Sequence, residues 1–442
     1  MVKRLAALFL IVSVQTAFAV LLGGSILSGH YGGTIIPGVV SGGLDLGGLS
    51  PAQAVESLRE RFGAAENVDI VIEAEGRRWT IPMKSIGASY DYGGAVEKAY
   101  AVGHTGSLTR RISEILGSKA VNTDIALPLK FDQEALKNQL AVINGQHSVN
   151  SRNARLVVEG SKVRLVPGLD GHEMDISGTV ERISSLRAGM ELKATAVFRA
   201  VSPGINDKDL SGLTDVLGEC VTRFEAGSAA RANNITLAAG KIDGVLVKPA
   251  EVFSFNSVLG AVDEKNGYLK APVISDGQLV DDFGGGICQV STTLYGAALL
   301  SGFEIVERYP HSKPVKYVPP GLDVTVSEGQ KDFRFKNNLD RAVYIHSTTG
   351  PEDGYVKVVI IGKKQGNTVY RIDSEVRAVS PGIVLRGSQS LLRGETVVAS
   401  EGSPGYEALI YRVSVTEGGE EKREFISRDY YSPDPKILDV GM

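Results

Sequence analysis

The longest apolar stretch of the chain lies at its amino terminus. Residues 5–27 are almost free of polar side chains and follow two basic residues, Lys3 and Arg4. A run of about 20 apolar residues can cross a bilayer as a helix, and basic residues before it predict a cytoplasmic start and an exported body. We therefore expect a transmembrane signal anchor at residues 1–28. A peptidase-like site at residues 17–19 leaves open the alternative of a protein secreted after signal cleavage.

Two later stretches of alternating apolar and polar positions resemble each other. Residues 71–82 and 156–167 each predict a β-hairpin that ends in a proline, and a predicted helix follows at Asp91 or Asp175. The prolines are 85 residues apart and the aspartates 84 residues apart. This spacing predicts a duplicated α+β repeat, which we place in a binding domain at residues 29–205.

The remaining sequence changes character near residue 364. Residues 206–363 mix helical and strand periodicity, whereas residues 364–442 alternate and contain many turn signals. Strict alternation in residues 411–415 is typical of a half-exposed strand. The predicted fold is therefore α+β and multidomain, with a transmembrane helix, a duplicated repeat, a central α+β domain and a β-rich carboxy-terminal region.

One predicted helix of the central domain begins just after three glycines. Cys288 falls at the start of this helix, whose apolar face includes Val290 and Leu294. The positive end of a helix dipole lowers the pKa of a thiol and so raises its thiolate fraction. Glycine backbone amides at this point could also stabilise an oxyanion. The pattern favours a reactive thiol.

Two further residues complete a candidate catalytic set. His311 and Asp323 lie on segments that both read as strands. A thiol nucleophile, a histidine base and an orienting aspartate are the groups of a cysteine acyl-transfer site. Asp332 is an alternative orienting residue. Six residues around the thiol are predicted to bind a ligand: Gly284, Gly285, Gly286, Gln289, Ser291 and Thr292.

Two other interpretations of this region stay open. A cysteine after glycines can be a small buried apolar residue, with His311 in a structural role. The same residues can also form a ligand pocket without catalysis. Whether the chain is an enzyme therefore remains open at this point.

Composition and charge narrow the range of partners. The 442 residues carry a net charge of −4 and no basic block beyond the first positions, which argues against nucleic acid. Six histidines and two cysteines show no metal-ligand spacing. We expect no metal and no cofactor, and the oligomeric state is not predicted. A single disulfide between Cys220 and Cys288 stays open.

The central region resembles the VanW domain over residues 214–362, almost from end to end. Ala250, Leu322 and Val324 depart from this resemblance, at positions where glycine, arginine and alanine are usual. The motifs that carry it are Arg231 with Asn233–Asn234, Lys248 to Asn256, Gly284 to Tyr295, Glu304 to Ser312, Tyr317 to Gly321 and Asp332 to Asn337.

The flanking regions resemble other modules. Residues 30–205 resemble a peptidoglycan-binding domain found before VanW domains, through the motifs at residues 37–39, 46–50, 79–81 and 166–171. Residues 364–442 resemble part of the G-five module, with a β extension that packs on the central domain as the alternative. The arrangement of Cys288, His311 and Asp323 is similar to that of transglutaminases and papain-like enzymes.

The resemblances imply a bacterial cell-envelope protein of the VanW family that binds peptidoglycan or wall glycan. It would be anchored in the cell membrane with an extracytoplasmic body. As an enzyme, it would act on wall peptide or amide bonds through the thiol. The alternative is a non-catalytic glycan-binding or scaffolding protein of the wall. The family name refers to vancomycin resistance and does not imply resistance for this chain.

Overall fold

The computed structural model describes residues 2–160, 162–225, 227–275 and 278–442. The chain folds into two compact units, one of Met1–Arg152 with Asp170–Ser202 and one of Asn153–Leu169 with Pro203–Met442. Residues 153–169 thus belong to the second unit, although the sequence pattern placed them with residues 29–205. The four domains of the sequence analysis remain predictions.

The first unit packs short sheets and helices around one apolar core. One of its three-stranded sheets joins the strands Lys193–Thr195, Asp69–Ala74 and Arg77–Pro82 in that order, and Ile70, Ile72 and Ile81 from that sheet are almost completely buried. Its helices are α1 (Val2–His30), α2 (Pro51–Phe62), α3 (Tyr92–Ala101), α4 (Leu108–Ala120), α5 (Gln133–His147) and α6 (Ile176–Ser184). Its strands, numbered along the whole chain, are β1 (Val39–Ser41), β2 (Leu44–Asp45), β3 (Asp69–Ala74), β4 (Arg77–Pro82), β5 (Ser89–Tyr90), β6 (Thr123–Ile125), β7 (Leu129–Lys130), β10 (Gly171–Met174), β11 (Lys193–Thr195) and β12 (Phe198–Val201).

The two copies of the sequence repeat have the same local structure. Each contains a two-stranded hairpin, β3 with β4 in the first copy and β8 (Arg155–Glu159) with β9 (Lys162–Val166) in the second. Asp91 and Asp175 cap the helices that follow, and each side chain accepts a hydrogen bond from a glycine amide. Ser161, in the turn of the second hairpin, lies outside the described residues. The second hairpin packs in the second unit, because its buried Leu156 belongs to that unit's core.

The amino-terminal apolar run forms helix α1, but the predicted transmembrane anchor is not supported. Among the described residues, no helix combines the length and apolar character that a membrane crossing requires. The side chains of Lys3 and Arg4 are outside the described part of the structure.

The second unit is built on an antiparallel sheet with the strand order β13 (Asp215–Arg223), β21 (Tyr355–Gly362), β20 (Val343–Gly350) and β14 (Leu246–Val247). Helices α8 (Ala229–Ile242) and α10 (Ile287–Leu300) pack against this sheet. Alternate residues of β20 and β21 face opposite sides, as strand geometry requires. Val343 and Ile345 join the core with helices α8 and α10, whereas Tyr344 packs with the β8–β9 hairpin. Helix α10 lies so close to β13 that a Cβ atom at Gly218 would be 2.5 Å from the carbonyl oxygen of Ala297. The small residue at Gly218 therefore allows α10 to pack closely on the sheet.

Two cysteines lie on these central elements. Both are free thiols, one on β13 and the other on α10.

The helices of the unit are α7 (Asp207–Leu210), α8 (Ala229–Ile242), α9 (Phe255–Leu259) and α10 (Ile287–Leu300). The strands after β9 and up to residue 362 are β13 (Asp215–Arg223), β14 (Leu246–Val247), β15 (Val252–Ser254), β16 (Lys270–Ser275), β17 (Gln278–Phe283), β18 (Glu304–Glu307), β19 (Arg334–Lys336), β20 (Val343–Gly350) and β21 (Tyr355–Gly362).

The carboxy-terminal region is β-rich, as predicted. Two three-stranded sheets form, with the orders β22-β25-β26 and β23-β27-β24. Ala408 and Ile410 of β25 pack against Gly321 of the central region, where an added Cβ atom would meet the Ile410 side chain at 2.6 Å. The strands are β22 (Val369–Val379), β23 (Ile383–Ser388), β24 (Thr396–Ser400), β25 (Gly405–Val415), β26 (Glu421–Tyr431) and β27 (Lys436–Gly441).

Candidate functional site

The glycines before α10 are required by the path of the backbone. Gly284 and Gly286 have φ angles of 82° and 113°, which side chains other than glycine rarely adopt. A Cβ atom at Gly285 would lie 2.6 Å from the carbonyl oxygen of Ala271. The tight turn places Cys288 as the second residue of α10, so the predicted thiol at a helix start is confirmed.

The thiol of Cys288 is half-buried and has polar neighbours. Its sulfur lies 3.8 Å from the Thr325 hydroxyl oxygen and 3.7 Å from the Val326 carbonyl oxygen. Burial raises the pKa of this thiol, but the hydrogen bond and positive charge of His311 oppose that effect. The net result is that the pKa of Cys288 is lowered. The thiolate is therefore favoured at Cys288.

His311 and Asp323 are held in direct contact. The Nδ1 atom of His311 lies 2.7 Å from Oδ2 of Asp323, and the His311 backbone amide donates to the same oxygen at 2.7 Å. Burial lowers the pKa of His311, but hydrogen bonds to Asp323 and Cys288 raise it to about 9. The structure thus brings together all three residues of the predicted set.

The predicted strands at these two residues are absent, which corrects the sequence interpretation. His311 and Asp323 lie on irregular segments between β18 and β19. Pro310, Pro314 and Pro319 interrupt this region, and proline cannot donate to a strand ladder. The His311 amide consequently bonds to the Asp323 carboxylate. This backbone-to-side-chain bond orients both residues without a sheet.

Asp323 has further partners that the sequence analysis missed. The Tyr431 hydroxyl donates to Oδ1 of Asp323 and accepts from the Gly321 amide at 2.8 Å. Arg308 donates to the Asp323 carbonyl oxygen at 2.6 Å and pairs with Asp429 at 2.5 Å. Burial raises the pKa of Asp323, but His311 and then Tyr431 oppose this and the pKa is lowered. The carboxy-terminal strand β26 therefore supplies part of the site.

Replacement of Tyr431 by phenylalanine is expected to reduce the free energy of unfolding by about 2–3 kcal/mol. The change leaves one buried oxygen of Asp323 without its hydroxyl donor and the Gly321 amide without its acceptor. Urea unfolding of the whole chain measures the effect. Tyr430→Phe is the matched control, because Tyr430 is 59% exposed and should change stability by no more than about 0.5 kcal/mol. Equal effects of the two changes would contradict this role of Tyr431.

Several predicted binding residues make hydrogen bonds within the fold. Ser291 and Thr292 are almost completely buried, and both hydroxyls donate to the Val324 carbonyl oxygen, at 3.2 and 3.3 Å. Thr292 also accepts from the Val324 amide at 2.8 Å. These bonds tie α10 to the segment that carries Asp323. Gly285 contacts Asn234, whose side-chain amide donates to the Gly285 carbonyl oxygen at 3.1 Å.

Asp332, the alternative orienting residue, serves another part of the fold. Its carboxylate accepts hydrogen bonds from the Ser254 hydroxyl at 2.6 Å and from the Asn256 amide at 2.9 Å. It also accepts from the Phe333 amide at 2.8 Å. These bonds hold the start of α9. The carboxylate that contacts His311 is Asp323.

A cavity of about 1630 Å³ opens over the thiol. Cys288, His311 and Thr325 line it, together with Gly284, Gly286 and Gln289 from the predicted binding set. The described residues contain no cluster of histidine, cysteine, aspartate or glutamate suited to a metal ion. A ligand in this cavity can reach the Cys288 thiol, which interacts with His311, and His311 in turn contacts the Asp323 carboxylate.

Three family models match successive parts of the chain. The model for VanW-like proteins matches residues 230–360 and therefore contains the three residues of the candidate site. The model for a proposed peptidoglycan-binding domain matches residues 79–194. The model for the G5 domain matches residues 370–442. The G5 match agrees with the resemblance of the β-rich region to the G-five module.

Two curated proteins and one solved structure are similar to parts of this chain. The uncharacterised protein YoaR of Bacillus subtilis is 39% identical over 197 residues, which is 44% of this chain and 64% of YoaR. The vancomycin B-type resistance protein VanW of Enterococcus faecalis is 32% identical over 148 residues, 31% of this chain and 52% of its own length. A G5 domain of an IgA1 protease is 23% identical, with a TM-score of 0.16, and the match covers 18% of this chain and 94% of that domain.

The matches to both curated relatives cover less than two thirds of their lengths. The family models nevertheless agree with the sequence motifs in order and in place. The chain therefore contains, in this order, regions that match a proposed peptidoglycan-binding domain, a VanW-like domain and a G5 domain, and it is similar to two curated proteins over part of its length.

Proposed function

We propose that the VanW-like domain is a cysteine acyl-transfer site that acts on peptide or amide bonds of the bacterial cell wall. The observation that carries this proposal is the linked set Cys288, His311 and Asp323 beside an open cavity. A structural cysteine needs neither a lowered pKa nor access to a cavity. Both properties are expected of a nucleophile.

The proposed reaction begins with the thiolate of Cys288 and the protonated His311. The sulfur attacks the carbonyl carbon of the substrate, and the carbonyl oxygen becomes an oxyanion. His311 then donates its proton to the leaving nitrogen as the carbon–nitrogen bond breaks, which leaves a thioester on Cys288. Water or a second amine attacks the thioester and gives its proton to His311. The carbon–sulfur bond then breaks, which restores the Cys288 thiolate and the protonated His311 and completes hydrolysis or transfer.

The start of α10 supplies an environment for the oxyanion. Backbone N–H groups in the first turn of a helix have no acceptor within that helix. Cys288 is the second residue of α10, so its own amide belongs to this turn. The positive end of the helix dipole adds to the stabilisation of negative charge there.

The flanking domains support a location at the wall. A match to a peptidoglycan-binding type of domain at residues 79–194 and a G5 match at residues 370–442 both suggest a wall-glycan partner. We propose an extracytoplasmic, wall-associated protein with domains at residues 29–205, 206–363 and 364–442.

A second candidate is a non-catalytic protein that binds or organises wall glycan. The peptidoglycan-binding match favours it, because binding modules at a wall need no chemistry of their own. The two candidates differ in the expected reactivity of Cys288. A scaffolding protein gives no reason for a thiolate at this position.

Alkylation of the full chain by iodoacetamide tests the proposal. At pH 7 we expect Cys288 to be modified at least roughly 100-fold faster than Cys220. Burial raises the pKa of Cys220 to about 11, whereas the pKa of Cys288 is lowered. Peptide mass spectrometry after timed labelling measures both rates in one sample, so that Cys220 is an internal control.

The pH dependence of Cys288 alkylation and of wall-fragment turnover distinguishes the two candidates. The alkylation rate of Cys288 should reach its plateau below the pKa of about 8.5 of free cysteine. Wall-fragment turnover, which also needs protonated His311 as an acid, should fall as the pH rises through about 9. A Cys288 profile that rises only above pH 8.5 would reject the thiolate and favour the scaffolding candidate.

A further inference from the structure

The cavity over Cys288 has an excess of positive charge. Three acidic side chains line it, against five basic ones: Arg223, Arg231, Lys313, Lys316 and Lys331. Lys313 is paired with Asp434 at 2.5 Å. Arg223, Lys316 and Lys331 are exposed to solvent, whereas Arg231 is half-buried. Arg231 is therefore the cavity cation whose position is best defined by the fold.

Arg231 is held in place by a neutral partner. Its Nη2 atom donates to the side-chain oxygen of Gln289 at 2.9 Å. The Gln289 amide nitrogen donates to the Thr222 hydroxyl at 3.1 Å and to the Arg223 carbonyl oxygen at 3.0 Å. Gln289 is 1% exposed, so these bonds fix which of its atoms faces Arg231. Because Gln289 is neutral, its hydrogen bond orients the guanidinium of Arg231 without neutralising the positive charge.

The absence of a side chain at Gly286 leaves room for the Arg231 side chain. Arg231 lies in the first turn of α8, and a Cβ atom at Gly286 would be 3.1 Å from its Cγ atom. Gln289 follows Cys288 directly on α10. The guanidinium is thus tied to the residue next to the nucleophile.

The charge of Arg231 has no acidic partner among the residues that the structure describes. Among the described residues, the side-chain hydrogen bond of Arg231 is the one to Gln289, and no carboxylate pairs with it. Arg308, by contrast, is paired with Asp429 and Asp323. The thiolate is stabilised chiefly by His311, Val326 and Thr325. A half-buried cation in a cavity with no internal partner is suited to an anionic ligand.

We propose that Arg231 forms an anion subsite beside Cys288 and that the acyl substrate carries a free carboxylate near the bond that reacts. This inference rests on the proposed function and names its substrate class. A planar carboxylate can accept two hydrogen bonds from one guanidinium edge. The substrate is therefore an acidic peptide, with its carboxylate on Arg231 and its carbonyl carbon against the sulfur.

Two alkylating reagents that differ in charge test the subsite. Iodoacetate and iodoacetamide both form a sulfur–carbon bond with the thiolate and release iodide, but only iodoacetate has a carboxylate. The readout is the iodoacetate-to-iodoacetamide rate ratio at Cys288, divided by the same ratio for free cysteine. Peptide mass spectrometry of the full chain measures it. We expect Arg231→Gln to lower this ratio by roughly tenfold, and Arg231→Lys to lower it less.

Lys331→Gln is the matched control, because Lys331 is an exposed cation of the same cavity. Circular dichroism and thermal unfolding of each variant check that it is folded. Rapid labelling by iodoacetamide with equal ratios in the wild type and Arg231→Gln would overturn the subsite and leave the reactive thiol standing. An equal fall of the ratio in Lys331→Gln would show that the positive charge of the whole cavity attracts the anion. That result would also overturn the subsite. Failure of both reagents to label Cys288 at pH 7 would overturn the proposed function itself.

Discussion

Replacement of Cys288 by alanine is expected to reduce the release of peptide or amine from purified cell-wall fragments by roughly 10⁴-fold or more. Alanine removes the sulfur that forms the thioester, and no other group in the proposed reaction can take its place. The cavity, His311 and Asp323 remain, so that binding of the fragment should persist. Chromatography with mass spectrometry measures the released products, and intact-protein mass spectrometry measures the acyl adduct on the wild type.

Cys220→Ala is the control for this change. The Cys220 thiol lies on β13, and its sulfur would be 2.6 Å from a Cβ atom added at Gly296 of α10. Its removal affects packing, but it leaves the thioester chemistry intact. Turnover that survives in Cys288→Ala would reject the thiol mechanism. Equal wall binding by the wild type and Cys288→Ala, with no turnover by either, would favour the scaffolding candidate.

Replacement of Asp323 by asparagine is expected to lower turnover by roughly 10²- to 10³-fold. The carboxylate raises the pKa of His311 through its hydrogen bond, so its neutralisation should lower that pKa. A less basic His311 stabilises the thiolate less well, and the pKa of Cys288 should then rise. The pH profile of iodoacetamide labelling should accordingly move to higher pH, together with the loss of turnover.

Asp332→Asn is the matched control for the carboxylate. Asp332 accepts hydrogen bonds at the start of α9, so its change should affect stability while leaving the Cys288 labelling profile in place. A larger shift in Asp332→Asn than in Asp323→Asn would reverse the assignment of the orienting residue. An unchanged profile in Asp323→Asn would show that Asp323 acts only in folding.

The features that sequence predicted well are local. Three glycines followed by an apolar period of 3.6 residues predicted the start of α10, because both signals arise within a few residues of Cys288. The helices that begin at Asp91 and Asp175 were predicted for the same reason, and the structure shows that each aspartate caps its helix. Alternation beyond residue 364 predicted the β-rich region. Each of these features depends on neighbours in the chain.

The incorrect or missing predictions depend on residues far apart in the chain. The hydrogen bonds of Ser291 and Thr292 to Val324 were not predicted, because periodicity does not show which element will cover a helix face. Their role in ligand binding stays a prediction. Tyr431 contacts Asp323 from 108 residues away. No spacing rule connects a residue on an irregular segment with one on a distant strand. The strands expected at His311 and Asp323 are absent because prolines limit ladder bonds there.

The sequence by itself determined the resemblance to VanW-like proteins, the order of the three matched kinds of domain, and a thiol at the start of a helix. It also supplied the residue types of a nucleophile, a base and an acid. Only the tertiary structure decided which acid contacts His311, that strand β26 donates to that acid, and that Arg231 faces the cavity with a neutral partner. The physical reason is that helix starts and turns are set by bonds within a few residues. Charge pairing and burial, in contrast, are set by segments that meet only when the chain folds.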